Sequence, residues 1–376
     1  MKRKQFISTI GSICTGLSLK PVLNYSNLSN HIDAEGLPKY WVWIRPSLDK
    51  TDDDWKLEFE EWRSIGIEAI LPQVYASNKS LFNIPNHEIE ESWLERIIPI
   101  AHAAGLQVHA WMWTMICNNP RILKNNPEWY VVNRNGDSAA THPAYVDYYK
   151  FLCPRKPEVR AFVKERVKAL ASIPNLDGIH LDYVRMPDVI LAEGLQPKYD
   201  IIQDQEYPEY DYCYCSTCRN AYLAKYDVDP MEIEDPANDK DWYQFRYDAV
   251  VDLVNDHLVP EAKSTNKWIT AAVFPNWESV RQQWHRFNLD AFLPMLYQGF
   301  YNEEIDWIGN ETQKALQRLN HSKPIYSGLF LPHLTSENIN EAISSAYDGG
   351  AKGFSLFGDL SEEMKSSVKD IIKGGK

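Results

Sequence analysis

The segment Asp177–Pro187, DGIHLDYVRMP, carries the pattern on which the fold turns. Ile179, Leu181 and Val184 read as a buried strand, yet His180, Asp182 and Arg185 are set into it or just behind it. A carboxylate taken out of water is costly unless it is paired or has a function. Side chains alternate along a strand, so His180 and Asp182 share one side of it, with Asp182 at the carboxyl end. Asp182 is then either the ion-pair partner of Arg185 or Arg45, or a reactive group. His180 fits a hydrogen-bonded core position as well as a substrate contact.

Seven further runs share this apolar, β-branched or aromatic character. They span 40–48, 67–76 and 106–115 before it, and 268–275, 290–298, 324–331 and 353–360 after it. Between the eight lie helical periodicities at 54–64, 93–104, 157–172, 243–262, 279–287, 305–319, 336–348 and 361–373. Gly66, Gly105 and Gly353 fall where a helix must end before the next strand. Near-continuous apolar strands alternating with helices indicate parallel pairing, covered on the outside. Eight such units predict an α/β fold of the (β/α)8 TIM-barrel type. A doubly wound open sheet is the alternative, but no Gly-x-Gly-x-x-Gly follows the first strand, which argues against an organic dinucleotide cofactor.

The expected organisation is one barrel over 38–376, preceded by a leader and short linker over 1–30. The leader has Lys2, Arg3 and Lys4 ahead of a mildly apolar run from Phe6 to Leu19, too short to span a bilayer. It reads as an export signal cleaved before Asp33, placing the protein in the periplasm, outside the cell, or on a lipid anchor at Cys14. No later run is long and apolar enough for a transmembrane helix. A net charge of −13 argues against a nucleic-acid partner, whose phosphates call for a basic face. The oligomeric state is not encoded in any of these patterns.

Long loops are expected after strands three and four, at 117–156 and 187–241, on the barrel face where active sites form. The strand ends converge there: Arg45 from the first, Gln73 from the second, His109, Trp111 and Trp113 from the third. His180, Asp182 and Arg185 come from the fourth, Glu278 follows the fifth, Tyr297 ends the sixth and Asp359 the eighth. Carboxylates for proton transfer or attack, amides and imidazoles for hydroxyls, and rings for stacking make a carbohydrate site. The 13 Trp and 21 Tyr of the chain suit it, since such rings pack on sugars as well as in cores. Arg185 could bind an acidic or sulfated substituent or hold Asp182 ionised. Glu278 and Asp359 are the candidates for a second catalytic carboxylate, each also explicable as an acidic residue at a helix start. Asp49 and Asp188 are weaker candidates, being in loops.

Cys213, Cys215 and Cys218 crowd three thiols into six residues of the fourth loop. Cys-x-Cys closes poorly on itself as a disulfide, and Cys-x-x-Cys is a common chelating turn. A fourth thiolate from Cys153 or Cys117 would complete a closed, structural zinc site; disulfides are the alternative in an exported protein.

The succession WVWIRP, GLQVHAWMW, LCPRKPEVR, LDGIHLDYVRMP and CYCSTCRNAY resembles the family-10-like bacterial glycosyl hydrolases over most of residues 38–360. That resemblance implies a glycoside hydrolase in which Asp182 is the nucleophile and a later strand provides the acid/base. The cysteine pattern is similar to family 42 β-galactosidases, which implies structural zinc on Cys153, Cys213, Cys215 and Cys218. Those enzymes carry Asn-Glu at the fourth strand end where this chain has Leu181-Asp182, so their acid/base and sugar specificity are not implied. The expectation is an exported hydrolase of oligo- or polysaccharide glycosidic bonds. The alternatives are an inactive carbohydrate-binding barrel and a metal-dependent hydrolase of other bonds.

Overall fold

The computed structural model describes residues 36–84 and 91–374. Of the two compact units of the chain, Met1–Asp33 and Ala34–Lys376, the second holds every described residue; the leader expected over 1–30 lies outside them.

All eight strands form: β1 (Tyr40–Ile44), β2 (Ala69–Ala76), β3 (Gln107–Trp113), β4 (Gly178–Asp182), β5 (Trp268–Val273), β6 (Ala291–Pro294), β7 (Tyr326–Phe330) and β8 (Gly353–Phe357). They pair in parallel in the order β6-β5-β4-β3-β2-β1-β8-β7. Parallel bridges Phe292–Ile325 and Met295–Gly328 then bring β6 to β7 and close the ring. The result is a (β/α)8 barrel. Several strands stop short of their apolar runs because the chain leaves the sheet at the rim, as at Arg45-Pro46 after β1.

The helices follow their strands: α1 (Asp52–Ile65), α2 (Trp93–Ala103) and α3 (Pro157–Ala171) after β1, β2 and β3. The connection after β4 holds α4 (Ser216–Tyr226) and α5 (Lys240–Asp252), the latter running on through a wide turn at Leu253–Leu258 into Val259–Lys263. Then come α6 (Asp306–Arg318), α7 (Ile339–Asp348) and α8 (Glu362–Gly374). The start of α1 shows how local sequence sets these bounds. Thr51 and Asp54 cap each other reciprocally, and Gly66 ends the helix at φ 111°, a conformation that favours glycine.

One expected helix is missing. Residues 279–287 have helical periodicity but form two short 3-10 turns, Trp277–Val280 and Trp284–Arg286. Arg281, between them, is left-handed at φ 50°, and its guanidinium is drawn inward to Glu206 and Asp211 of the preceding connection. Gln282, fully buried, donates to the carbonyls of Val184 and Ala272 and accepts from the amide of Phe274. The polar face that helical periodicity sends to solvent is spent here on the ends of β4 and β5.

Two cores result. One lies between the sheet and the helices; the other fills the barrel, where alternate residues such as Trp41, Trp43, Leu71, Trp111, Ala272 and Leu293 pack together. His109 and His180 are part of this filling. Their rings meet Trp41 and Trp43 edge-on at 4.6 Å each, and His180 Nδ1 bonds Thr270 Oγ1 at 2.8 Å. Gly178, opening β4, is shaped by the same packing, since a Cβ there would come within 2.1 Å of His109 Nδ1 and 3.0 Å of the Trp268 carbonyl. Gly178→Ala is therefore expected to cost about 1–3 kcal/mol of stability. Urea unfolding measures this, and an unchanged midpoint would show that the His109 ring yields freely.

Candidate active site

Asp182 is the last residue of β4 and faces the barrel axis at the carboxyl rim. It is 8% exposed and makes no ion pair among the described residues. Its Oδ2 accepts from the indole Nε1 of Trp111 at 2.9 Å, and its Oδ1 from the backbone N–H of Tyr183 at 2.7 Å. Tyr183 adopts φ 50°, a sparsely populated conformation for a bulky side chain, which turns its amide back onto the carboxylate. Burial pushes the pKa of Asp182 up to about 6; the two hydrogen bonds and the charge of Arg185 pull the other way and do not win. The carboxyl group is thus able to carry a proton near neutrality.

Above it opens a cavity of about 450 Å³. Among the expected site residues, Arg45, Gln73, Trp111, Trp113, Asp182, Arg185 and Tyr297 line it. The register explains part of this: Trp111 pairs with His180 and Trp113 with Asp182 across β3 and β4, so the two indoles bracket the carboxylate. Trp113 also packs, tilted, against Tyr183 and Tyr148 at 4.9 and 5.7 Å between centroids. Burial and the nearby Asp182 charge hold the Tyr297 phenol well above its usual pKa, so it stays a hydrogen-bond donor.

Arg185 does not pair with Asp182. It lies 2% exposed among the rings of Phe274, Tyr183, Phe151 and Tyr149 and bonds Asp188 Oδ2 at 2.9 Å. Asp188, also buried, lines the same cavity, and no described residue bonds its Oδ1.

Four expected site residues fall elsewhere. Glu278 is exposed in the turn after β5, with Arg318 and Glu311 as charged neighbours, and does not line the cavity. Asp359 is exposed in an outer groove with Leu57, Glu61 and Lys365, while Ser361 caps the first turn of α8 through the amide of Met364. His109 and His180 are sealed below the cavity floor, and burial holds His109 down at about 4 and His180 well below its usual value, so both are neutral.

The loops supply walls that strand-end reasoning missed: Tyr148 and Tyr149 after β3, Lys198 and Tyr199 after β4, and Asn276, Phe300 and Tyr301 from the next two connections. The run AYVDYYK at 144–150, three tyrosines in a long loop on the active face, was the available signal. Asp188, a weaker candidate in the sequence because it lies in a loop, is brought to the cavity wall by its ion pair with Arg185 three residues before it.

The cysteines gather apart from the cavity. Cys153 precedes α3, while Cys213, Cys215 and Cys218 lie at the start of α4. The four sulfurs are buried and within 4.8 Å of one another. Cys153 Sγ is 3.5 Å from Cys218 Sγ and 3.7 Å from Cys215 Sγ, too far for a disulfide. Tetrahedral zinc with Zn–S bonds of about 2.3 Å sets sulfurs roughly 3.8 Å apart. Hydrogen bonds from the other three thiols push Cys215 towards the thiolate. Cys117 is buried outside this cluster, its carbonyl accepting from Tyr130. The donor set fits a metal ion.

The parallel barrel thus carries an aromatic cavity with a protonatable aspartate at the end of β4. The chain belongs to the family Glycosyl hydrolase-like 10, whose model matches residues 83–342. No protein of curated function matches its sequence. The fold is similar to the PgaB (BpsB) glycoside hydrolase domain from Bordetella bronchiseptica, at TM-score 0.68 and 12% identity over 89% of this chain and 98% of that one. It is also similar to the catalytic domain of β-amylase from Paenibacillus polymyxa, at TM-score 0.63 and 12% identity over 90% and 99% of the two chains. The β-galactosidase from the psychrophilic Marinomonas ef1 gives TM-score 0.62 and 14% identity over 89% of this chain but 59% of its own.

Proposed function

We propose that the chain hydrolyses glycosidic bonds of an oligo- or polysaccharide bound in the cavity above Asp182. The observation that carries this is the pair Asp182 and Asp188, the carboxylates that line one aromatic cavity among the described residues. Their surroundings differ as acid and base surroundings must: Asp182 is desolvated and without a cation, Asp188 is bound to a guanidinium. In this reading Asp182 protonates the leaving oxygen, rather than attacking as the family resemblance implied. Asp188, whose Oδ1 no described residue bonds, acts on the opposite side of the anomeric carbon as base or nucleophile. Trp113, Tyr148 and Tyr199 offer faces for sugar rings. Glycosidases on the same barrel, among them the β-amylase and β-galactosidase named above, support the class.

The cysteine cluster supports bound zinc held by Cys153, Cys213, Cys215 and Cys218. Four buried thiolate ligands leave no position open for substrate, and none of the four lines the cavity, which supports a structural role over a catalytic one. Export is supported by Lys2–Lys4 and the apolar run that follows. Among the described residues no helix is long and apolar enough to cross a membrane.

The pH–rate profile on a hydrolysed glycan tests the mechanism. A general acid must hold its proton, so kcat/KM should fall as pH rises through about 6. A profile flat from pH 5 to 8 would remove Asp182 from the acid role. The Arg185–Asp188 ion pair also suits a barrel that binds glycans without cleaving them; saturable binding with no product released would favour that reading.

A further inference from the structure

The cavity has five charged side chains in its wall: Arg45, Asp182, Arg185, Asp188 and Lys198. Arg185 and Asp188 neutralise each other at 2.9 Å. Asp182 lies deep, bonded by an indole and an amide. This leaves Arg45 and Lys198, both exposed at the mouth and neither in an ion pair among the described residues. Each instead stands by an aromatic ring of the same cavity wall, Arg45 at 5.8 Å from the Phe357 ring centre and Lys198 at 5.7 Å from that of Tyr199. Cation–π contacts of this kind keep a long side chain on the wall.

Arg45 and Lys198 thus put two cations at the mouth of one cavity in a chain of net charge −13. Some exposed cations elsewhere find a carboxylate, as Arg286 does with Asp248 and Lys314 with Glu311. At the cavity mouth the wall offers them none, because its two carboxylates are engaged below. An anionic group on the substrate would meet a cation at either place, in a cleft where the field is focused.

We infer that the substrate is an anionic glycan, whose carboxylate or sulfate groups are bound at the cavity mouth by Arg45 and Lys198 while the scissile bond reaches Asp182. This rests on the cavity being the glycan site. Uronate and sulfate share the recognition chemistry of a delocalised anion and a charged donor. Arg185 is not the anion receptor, since Asp188 already occupies it.

The test uses the full chain and the tryptophans of the cavity as reporters. Intrinsic fluorescence is titrated with tetragalacturonate, with a chondroitin sulfate tetrasaccharide and with neutral cellotetraose, at low and at high salt. At least one anionic tetrasaccharide is expected to bind about tenfold or more tighter than the neutral one, because a hydrogen bond to a charged group contributes ~1.5–3 kcal/mol. That preference should shrink at high salt. Arg45→Gln and Lys198→Gln should each weaken anion binding about tenfold, well beyond any effect on cellotetraose. The stronger of the two anions identifies the group. Equal or better binding of cellotetraose, no binding of either anion, or anion binding indifferent to both substitutions overturns the inference. Neutral-only binding would leave the hydrolase reading standing. Anion binding with a flat pH–rate profile would instead overturn Asp182 as the acid and leave this inference intact.

Discussion

Asp182→Asn is expected to lower glycan turnover by roughly 10²–10⁴-fold while leaving the protein at least as stable at pH 7. The two effects have one origin. In the fold the Asp182 pKa is raised from 3.8 to about 6. The folded state therefore binds more protons than the unfolded chain across that interval, and stability falls as pH rises through it. Above both values the cost is about 3 kcal/mol, fully absent below the unfolded value. Asparagine is neutral at every pH and removes this cost, offset in part because its NH2 group cannot accept, so one of the two donors, Trp111 Nε1–H or the Tyr183 amide, loses its partner. The thermal midpoint of the variant relative to the native protein should thus be highest at neutral pH and sink towards pH 4. Asp188→Asn separates the roles: activity should again fall, but about 3–5 kcal/mol of stability should go with it, since Arg185 is left buried and unpaired. Turnover and thermal melts of both variants across pH check this. Full turnover in Asp182→Asn would end the proposed mechanism.

Removing metal is expected to produce the largest loss of stability. Four thiolates binding zinc contribute ~10–16 kcal/mol in small domains, where the metal alone holds the fold. In this barrel, forfeiting even ~5 kcal/mol corresponds to a midpoint lower by roughly 10 °C. Cys213→Ser should cause a loss of this order and reduce bound zinc from one ion per chain to a substoichiometric level, read by elemental analysis. Chelation of the native protein should match it in melting, while the turnover of molecules still folded changes little. A native protein that contains no zinc and ignores the chelator would show the thiols to be a metal-free cluster.

The barrel was legible because each strand carries its own signal. Runs such as IEAILPQVYA and GLQVHAWMW have the apolar continuity that only a sheet covered on both sides requires. The helix over 279–287 misled because periodicity reports amphipathicity without naming the partner. Arg281 and Gln282 look solvent-facing in sequence and are buried against carboxylates and strand-end carbonyls. The site was legible in the same uneven way. Asp182, Trp111 and Trp113 follow from strand alternation, since β3 and β4 are neighbours in both sequence and sheet. The same alternation placed His109 and His180 inside the barrel but not their depth, which decides whether a residue meets substrate or Trp43. Lys198 and Tyr199 come from a short 3-10 helix, Glu193–Tyr199, inside a long connection that carries no periodicity to say which side chains turn inward. Glu278 and Asp359 sit at strand ends in sequence, yet the chain has already turned outward where they stand.

The connection between β4 and α5 bears Asp188 and Lys198 near its start and Cys213, Cys215 and Cys218 towards its end, with Asp211, Arg246 and Arg281 interlocked beneath it. One wall of the cavity mouth and three of the four clustered thiols are thus encoded in one continuous stretch, while Arg45, Cys153 and Asp182 lie outside it. Replacing the residues between Asp188 and Cys213 would therefore change one side of the cavity mouth and leave Asp182 and the four thiols in place.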